Sequence, residues 1–215
     1  MEFGSKQVSV WIAKIDSLSK IPLEIEFQDR EHSQLIPAFI AGRRLLMHFF
    51  GRDCLKLISY TRNGKPYFTN SNLPRFNLSH SQDWIALAFS AAHEIGVDIE
   101  VIRTRKSSKN IIKRYFNQQE QAQLNTQNKP LEDMLFWQYW TAHEAVIKQQ
   151  GQTVWQMKPQ DTLPDDLAAR KLQLAFWKTS QWCISLCFSL GLTAQLYFLS
   201  PNAISKGSAN FTHKP

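Results

Sequence analysis

Ile95-Gly96-Val97-Asp98-Ile99-Glu100 and, about 40 residues on, Trp140-Thr141-Ala142-His143-Glu144-Ala145-Val146-Ile147-Lys148 decide how this chain is read. In the first stretch Ile95, Val97 and Ile99 alternate with Gly96, Asp98 and Glu100, the period of a strand. Alternation puts both carboxylates on one face, roughly 6–7 Å apart along it at ~3.3 Å per residue. The second stretch lies in a run from Leu131 to Gln150 that has no Pro or Gly until Gly151, which predicts a helix. On it Trp140, Glu144 and Lys148 follow at i, i+4 and i+8 and share a face. A helix laid across the strand would gather Asp98, Glu100 and Glu144 with one ammonium beside them. Three oxygen ligands with open positions suit Mg²⁺, which keeps waters and takes further ligands from a substrate's phosphates. Taken alone, Glu144 and Lys148 are equally an exposed i, i+4 ion pair worth ~0.3–0.5 kcal/mol.

Upstream, the polar Asn77 to Ser81 precedes an apolar strand, Ile85 to Ser90. Ser79 and His80 invite a hydrolase reading, but no G-x-S-x-G elbow surrounds the serine. Cys54 to Phe68 reads as a hairpin around Asn63-Gly64, a type I′ turn signal, with Lys65 and Pro66 directly after it. Glu31 to Phe50 reads as a helix closed by Gly51, with Leu45, Leu46, Phe49 and Phe50 on an apolar face and Arg43 and Arg44 projecting. Val8 to Ile15 alternates as a first strand, Val8, Val10 and Ile12 on one side and Trp11 and Ala13 on the other.

Downstream, Arg103, Arg105, Lys106, Lys109, Lys113 and Arg114 form a basic stretch in which Ile111, Ile112, Tyr115 and Phe116 keep helical spacing. Asn125 to Pro130 reads as a loop. Leu172–Thr179, Trp182–Ser189 and Thr193–Ser200 are strand-like runs with tight breaks, which predict an antiparallel meander. The expected class is α+β: a pseudo-twofold pair of similar halves, each a long helix on a small, mainly antiparallel sheet. Gly42–Gly51 loosely echoes His143–Gly151. The halves are 1–92 and 93–200, joined near Ala91 to Glu94, with 201–215 as a flexible tail. Glu2 to Ser5 fits no structural pattern.

These motifs together resemble the Sfp-type 4′-phosphopantetheinyl transferases, whose pattern is a G-[IV]-D-[IV]-E strand followed by W-[ST]-x-K-E-[AS]-x-x-K. Phe76-Asn77-Leu78-Ser79-His80-Ser81, Gly64-Lys65-Pro66 and Gly42-Arg43-Arg44-Leu45-Leu46 extend the resemblance over roughly residues 42 to 151. The small bacterial holo-acyl-carrier-protein synthases are the most similar branch. One residue departs: the first Lys of the helix motif is His143.

The resemblance implies transfer of 4′-phosphopantetheine from coenzyme A to a serine of an acyl or peptidyl carrier protein. It implies Mg²⁺ on Asp98, Glu100 and Glu144, with Glu144 as general base and Lys148 stabilising the phosphates. Arg43, Lys65, Pro66, Ser79, His80 and Lys148 would bind coenzyme A, and the active site would lie between the halves. The acidic helix of the carrier would face the basic 103–114 region. His143 would supply charge to phosphate only when protonated.

Composition narrows the alternatives. The chain has 215 residues, 43% hydrophobic, enough for one large domain or two small fused ones. A net charge of +7 favours an acidic partner. A nucleic acid would answer to that charge, but no zinc ligands, helix-turn-helix signature or repeated basic stripe accompanies it. The other rival is a carrier-binding module with weakened catalysis, motivated by His143 and opposed by the intact Asp98, Glu100, Glu144 and Lys148. Cys54, Cys183 and Cys187 lack zinc spacing and read as reduced thiols in a cytoplasmic protein expected to be a monomer, with Cys183 and Cys187 buried in their apolar run. No apolar run is long enough to span a membrane, and without a basic stretch followed by an apolar one at the N-terminus secretion is not expected.

Overall fold

Strand β1 (Gln7–Lys14) sends apolar side chains to both faces, and each face meets a different core. Val8, Val10 and Ile12 enter one core and Trp11 and Ala13 the other, as their alternation predicts. The computed structural model describes residues 6–19, 37–105 and 108–200. Glu2–Ser5, the 31–36 part of the expected first helix, Lys106 and the 201–215 tail lie outside the described residues.

β4 (Arg75–Ser81), β5 (Trp84–Ser90) and β9 (Thr193–Phe198) join β1 in a four-stranded sheet of order β4-β5-β1-β9. β5 is antiparallel to β1 and β4, whereas β9 runs parallel to β1. β6 (Gly96–Val101), β7 (Leu172–Lys178) and β8 (Trp182–Ser189) form a second, antiparallel sheet of order β6-β8-β7. The expected three-strand meander is corrected at its last strand. β8 is already flanked by β6 and β7, so β9 takes the open edge of β1. Thr193 N–H donates to Lys6 O at 2.9 Å and Leu199 N–H to Ile12 O at 2.9 Å. A strand from the 93–200 segment therefore completes the first sheet.

Four layers result. Helix α2 (Pro37–Phe50) lays Ala41, Leu45, Leu46 and Phe49 on Trp11, Ile85, Leu87 and Phe89. Between the sheets, Val10, Ile12, Ala86 and Ala88 meet Val97, Ile99, Ile184 and Leu186. Beyond the second sheet lies helix α5 (Lys129–Gln149), whose Phe136, Trp137 and Ile147 share a core with Cys183. Tyr115 of α3 (Ser108–Tyr115), Phe116 and Leu124 of α4 (Gln118–Asn125) close that core. The architecture is a mixed α+β one. Among the described residues no helix is long and apolar enough to cross a membrane.

Local chemistry sets the boundaries. α5 starts at Asn128, whose side chain accepts from Leu131 N–H, and Pro130 occupies its first turn. It ends before Gly151, at φ 65°. The hairpin of β2 (Ile58–Tyr60) and β3 (Pro66–Phe68) is present, but its turn is not type I′. Gly64 has φ 81° while Asn63 does not reach the left-handed region, and Gly64 N–H donates to Thr61 O at 2.9 Å. The longer loop needs one left-handed residue instead of two. The three cysteines are free and buried, and burial first of all pushes each thiol up to about 12.

Candidate active site at the crossing of β6 and α5

Gly96 lets α5 sit directly on β6. A Cβ there would stand 2.0 Å from Ala145 O and 2.3 Å from Gln149 N, distances no side chain tolerates. Thr141 Oγ1 adds a 2.8 Å hydrogen bond to Ser185 Oγ on β8, and Ser185 is the cross-strand neighbour of Asp98. With the helix held that close, Lys148 reaches Asp98 on the strand, and Glu144 stands one turn before it on the same helix face.

Lys148 Nζ lies 2.5 Å from Asp98 Oδ1, 3.3 Å from Ser79 Oγ and 3.8 Å from Glu144 Oε2. Asp98 is 4% exposed. Burial alone would lower the Lys148 pKa, but the carboxylates of Asp98 and Glu144 outweigh it and the net shift is upward. Glu144 is raised, first by burial and then by the negative charges of Asp98 and Glu100, against the pull of Lys148. Glu100 Oε2 accepts from Ser81 Oγ at 2.5 Å and from Arg103 Nη1 at 3.2 Å.

The donor set fits Mg²⁺ in kind. It is made of hard carboxylate oxygens, and Asp98 Oδ2 is buried without a hydrogen-bond partner, a costly state for an anionic oxygen. Among the described residues no three acidic, His or Cys side chains stand close enough together to hold a metal ion. The ammonium of Lys148 is the cation at Asp98, and Glu100 is drawn toward Ser81 and Arg103.

The sequence model of the 4′-phosphopantetheinyl transferase superfamily matches residues 94–192, the segment that carries Asp98, Glu100, Glu144 and Lys148. The chain is 38% identical over 138 residues to the 4′-phosphopantetheinyl transferase AcpT of Salmonella typhi, covering 64% of this chain and 71% of that one. It is 36% identical over 154 residues to AcpT of Escherichia coli K12, covering 70% and 77%. It is also 36% identical over 88 residues to Sfp of Bacillus subtilis, covering 41% and 38%.

The chain belongs to the 4′-phosphopantetheinyl transferase superfamily.

Other residues that the resemblance to this superfamily singled out take up varied positions. Ser79 is buried, with its hydroxyl 2.7 Å from Asp98 Oδ1, so it touches the carboxylate. His80, next along β4, is exposed on the opposite face. Its ring is nonetheless partly shielded from water, and that desolvation first, and then the charge of Lys148, hold its pKa below the ordinary imidazole value, which favours the neutral ring. Arg43 is buried on α2, donating to Tyr60 Oη at 2.7 Å and stacked over Phe39.

Lys65 has its ammonium 2.9 Å from Glu94 Oε2, 3.1 Å from Ile95 O and 3.4 Å from Gln149 O. It ties the β2–β3 hairpin to the start of β6 and the end of α5. Beside it a pocket of about 330 Å³ is lined by Pro66, Arg75, Glu94 and Gly151, among others.

His143, where the chain departs from the superfamily's pattern, is fully buried and turned away from Asp98. Its Nε2 is 3.0 Å from Glu120 Oε2 and its ring stacks on Phe116. It fastens α5 to α4. Asn117-Gln118-Gln119-Glu120 carried the overlooked signal, since N-x-x-E is a capping box that marks a helix start, and Glu120 is its return acceptor.

Proposed function

We propose that this protein transfers the 4′-phosphopantetheine group of coenzyme A to a serine hydroxyl of an apo acyl or peptidyl carrier protein. The observation that carries the reading is the junction of Asp98, Glu144 and Lys148 at the β6–α5 crossing, inside the segment matched to the superfamily. The serine oxygen bonds to the pyrophosphate phosphorus nearer the pantetheine. The P–O bond to the nucleotide breaks, and adenosine 3′,5′-bisphosphate leaves.

Asp98, Glu100 and Glu144 are the residues that would hold Mg²⁺, which supplies charge neutralisation at the pyrophosphate. Glu144 accepts the serine proton, directly or through a water. Lys148 presents fixed positive charge to the phosphates. The pocket beside Lys65 and Pro66 suits the nucleotide end of coenzyme A, with Arg75 supplying charge. His80, on the β4 face opposite Ser79, serves the phosphates as a neutral donor, and Arg43 reaches them by giving up its hydrogen bond to Tyr60. The exposed Lys109 and Lys113, one turn apart on α3, suit the acidic helix of a carrier protein.

The two halves, 1–92 and 93–200, are read as a diverged pair, because each lays one long helix on a largely antiparallel sheet. The deciding experiment is the intact mass of an apo carrier protein after incubation with coenzyme A, Mg²⁺ and this protein. A gain of one phosphopantetheine, absent with Glu144→Ala, is expected. An unchanged mass across several carrier proteins overturns the reading.

A further inference from the structure

β4 and β6 lie side by side, yet they are joined by side chains where a sheet would use backbone. Val97 N–H donates to Asn77 Oδ1 at 2.8 Å, Ile99 N–H to Ser79 Oγ at 3.3 Å and Val101 N–H to Ser81 Oγ at 3.2 Å. The stagger is 20 residues at every rung, so alternate residues of one strand serve alternate residues of the other. Each serine hydroxyl has a single proton. Because Oγ already accepts from a backbone N–H, and in Ser79 from Lys148 as well, that proton goes to the one neighbour able to accept it, a carboxylate in both cases. Ser79 donates to Asp98 Oδ1 at 2.7 Å and Ser81 to Glu100 Oε2 at 2.5 Å.

The two carboxylates are handled alike. On Asp98 both donors, Ser79 and Lys148, fall on Oδ1, and Oδ2 is buried and without a partner. On Glu100 both donors, Ser81 and Arg103, fall on Oε2. Arg103 cannot follow Glu100 far, since its guanidinium also donates to Val101 O at 2.9 Å and lies 4.1 Å over the Trp137 ring.

We infer that Ser81 is a positioning residue, acting through Glu100 as Ser79 acts through Asp98: the rung pins one carboxylate oxygen and turns the other to a divalent cation. Hydrogen-bonded partners of metal ligands fix their orientation, and losing one costs on the order of 10–100-fold in metal affinity or activity. The inference rests on the Mg²⁺ assignment proposed above and extends it to a residue outside the ligand set.

The test is Mn²⁺ binding, read from the free-ion electron paramagnetic resonance signal, with the full chain and saturating coenzyme A. Wild type, Asp98→Ala, Ser81→Ala and Ser81→Thr are compared. Ser81→Ala is expected to weaken Mn²⁺ roughly tenfold and to raise the Mg²⁺ concentration for half-maximal rate by the same factor. Ser81→Thr, which keeps the hydroxyl, should restore both. The KM for coenzyme A at saturating Mg²⁺ should not move. If Ser81→Ala fails to fold for want of an acceptor for Val101 N–H, Ser81→Cys keeps a γ atom there, donates weakly, and should show the same loss. Wild-type Mn²⁺ affinity in folded Ser81→Ala or Ser81→Cys overturns the inference while Asp98→Ala still loses the ion. Asp98→Ala binding as wild type does overturns the metal assignment itself, and the inference with it.

Discussion

Gly96 and Ala145 are in backbone contact: the α5 carbonyl of Ala145 occupies the place where a side chain on Gly96 would begin. Gly96→Ala should therefore push the helix off the strand. Overpacking of this kind costs about 1–3 kcal/mol, more when backbone must yield. The atoms it meets are backbone, so we expect the upper end. Transfer should fall further than stability, because Glu144 and Lys148 ride on the displaced helix. Urea unfolding and turnover on the same preparation give the comparison, and a variant matching wild type in both would contradict the packing.

Glu144 should be a source of instability when ionised. Its folded pKa is raised, so the folded state binds the proton more tightly than the unfolded chain. Stability then falls as pH rises from the ordinary carboxylate range through the raised value, and stays lower above it. In EDTA, Glu144→Gln should leave Tm unchanged or higher at neutral pH and show no gain at pH 3. Mg²⁺ should raise the wild-type Tm more than that of the variant.

Removing Asp98 should cost stability, although three converging carboxylates suggest mutual repulsion for all of them. Its Oδ1 is neutralised by Lys148 and hydrogen-bonded by Ser79. Asp98→Ala strands the ammonium and should cost about 1–3 kcal/mol, besides abolishing transfer. Adding Lys148→Met to it should cost less than the sum of the two single changes, which a double-mutant cycle by urea unfolding measures.

His143 should carry stability and no charge for catalysis. His143→Gln should destabilise by about 1–3 kcal/mol through Glu120, Thr162 and the lost Phe116 stack. Its profile of kcat/KM for coenzyme A between pH 6 and 9 should superimpose on that of wild type. A flattened profile would return the residue to the phosphates.

Lys109 and Lys113 are exposed on one face of α3, whereas Arg103 and Arg105 lie over Trp137 and Arg114 lies between Tyr115 and Trp155. Reversing the two lysines to Glu should raise KM for the carrier protein several-fold and flatten its salt dependence, leaving KM for coenzyme A in place. Equal effects on both substrates would put the carrier elsewhere.

Sequence periodicity went furthest where neighbours in the chain are neighbours in space. The two-sided β1, the β6 alternation and the i, i+4 pair of Glu144 and Lys148 were all legible, because a strand or helix carries its own period. Long-range pairing was not. Nothing in Thr193–Phe198 announces β1 as its partner; that choice follows from β8 having both edges filled. His143 looked like a substitution at a charged site because one helix position was weighed without Glu120 opposite. Ser79 read as a coenzyme A ligand and Ser81 only as part of a polar segment, since a side chain that completes a strand's hydrogen bonding has no sequence signature apart from alternation.

The parallel pairing of β9 with β1 has a consequence for how the protein is made. Gln7 waits for Thr193, 186 residues later in the chain, before its outer edge is covered. Until then a strand rich in Val, Ile and Trp presents open backbone groups, the kind of edge that recruits other chains. During vectorial synthesis the first sheet stays unfinished until nearly the last described residue has emerged. Pairing of such high sequence separation is slow to form. Truncation within 193–198 should therefore be felt at the beginning of the chain, as aggregation seeded from β1.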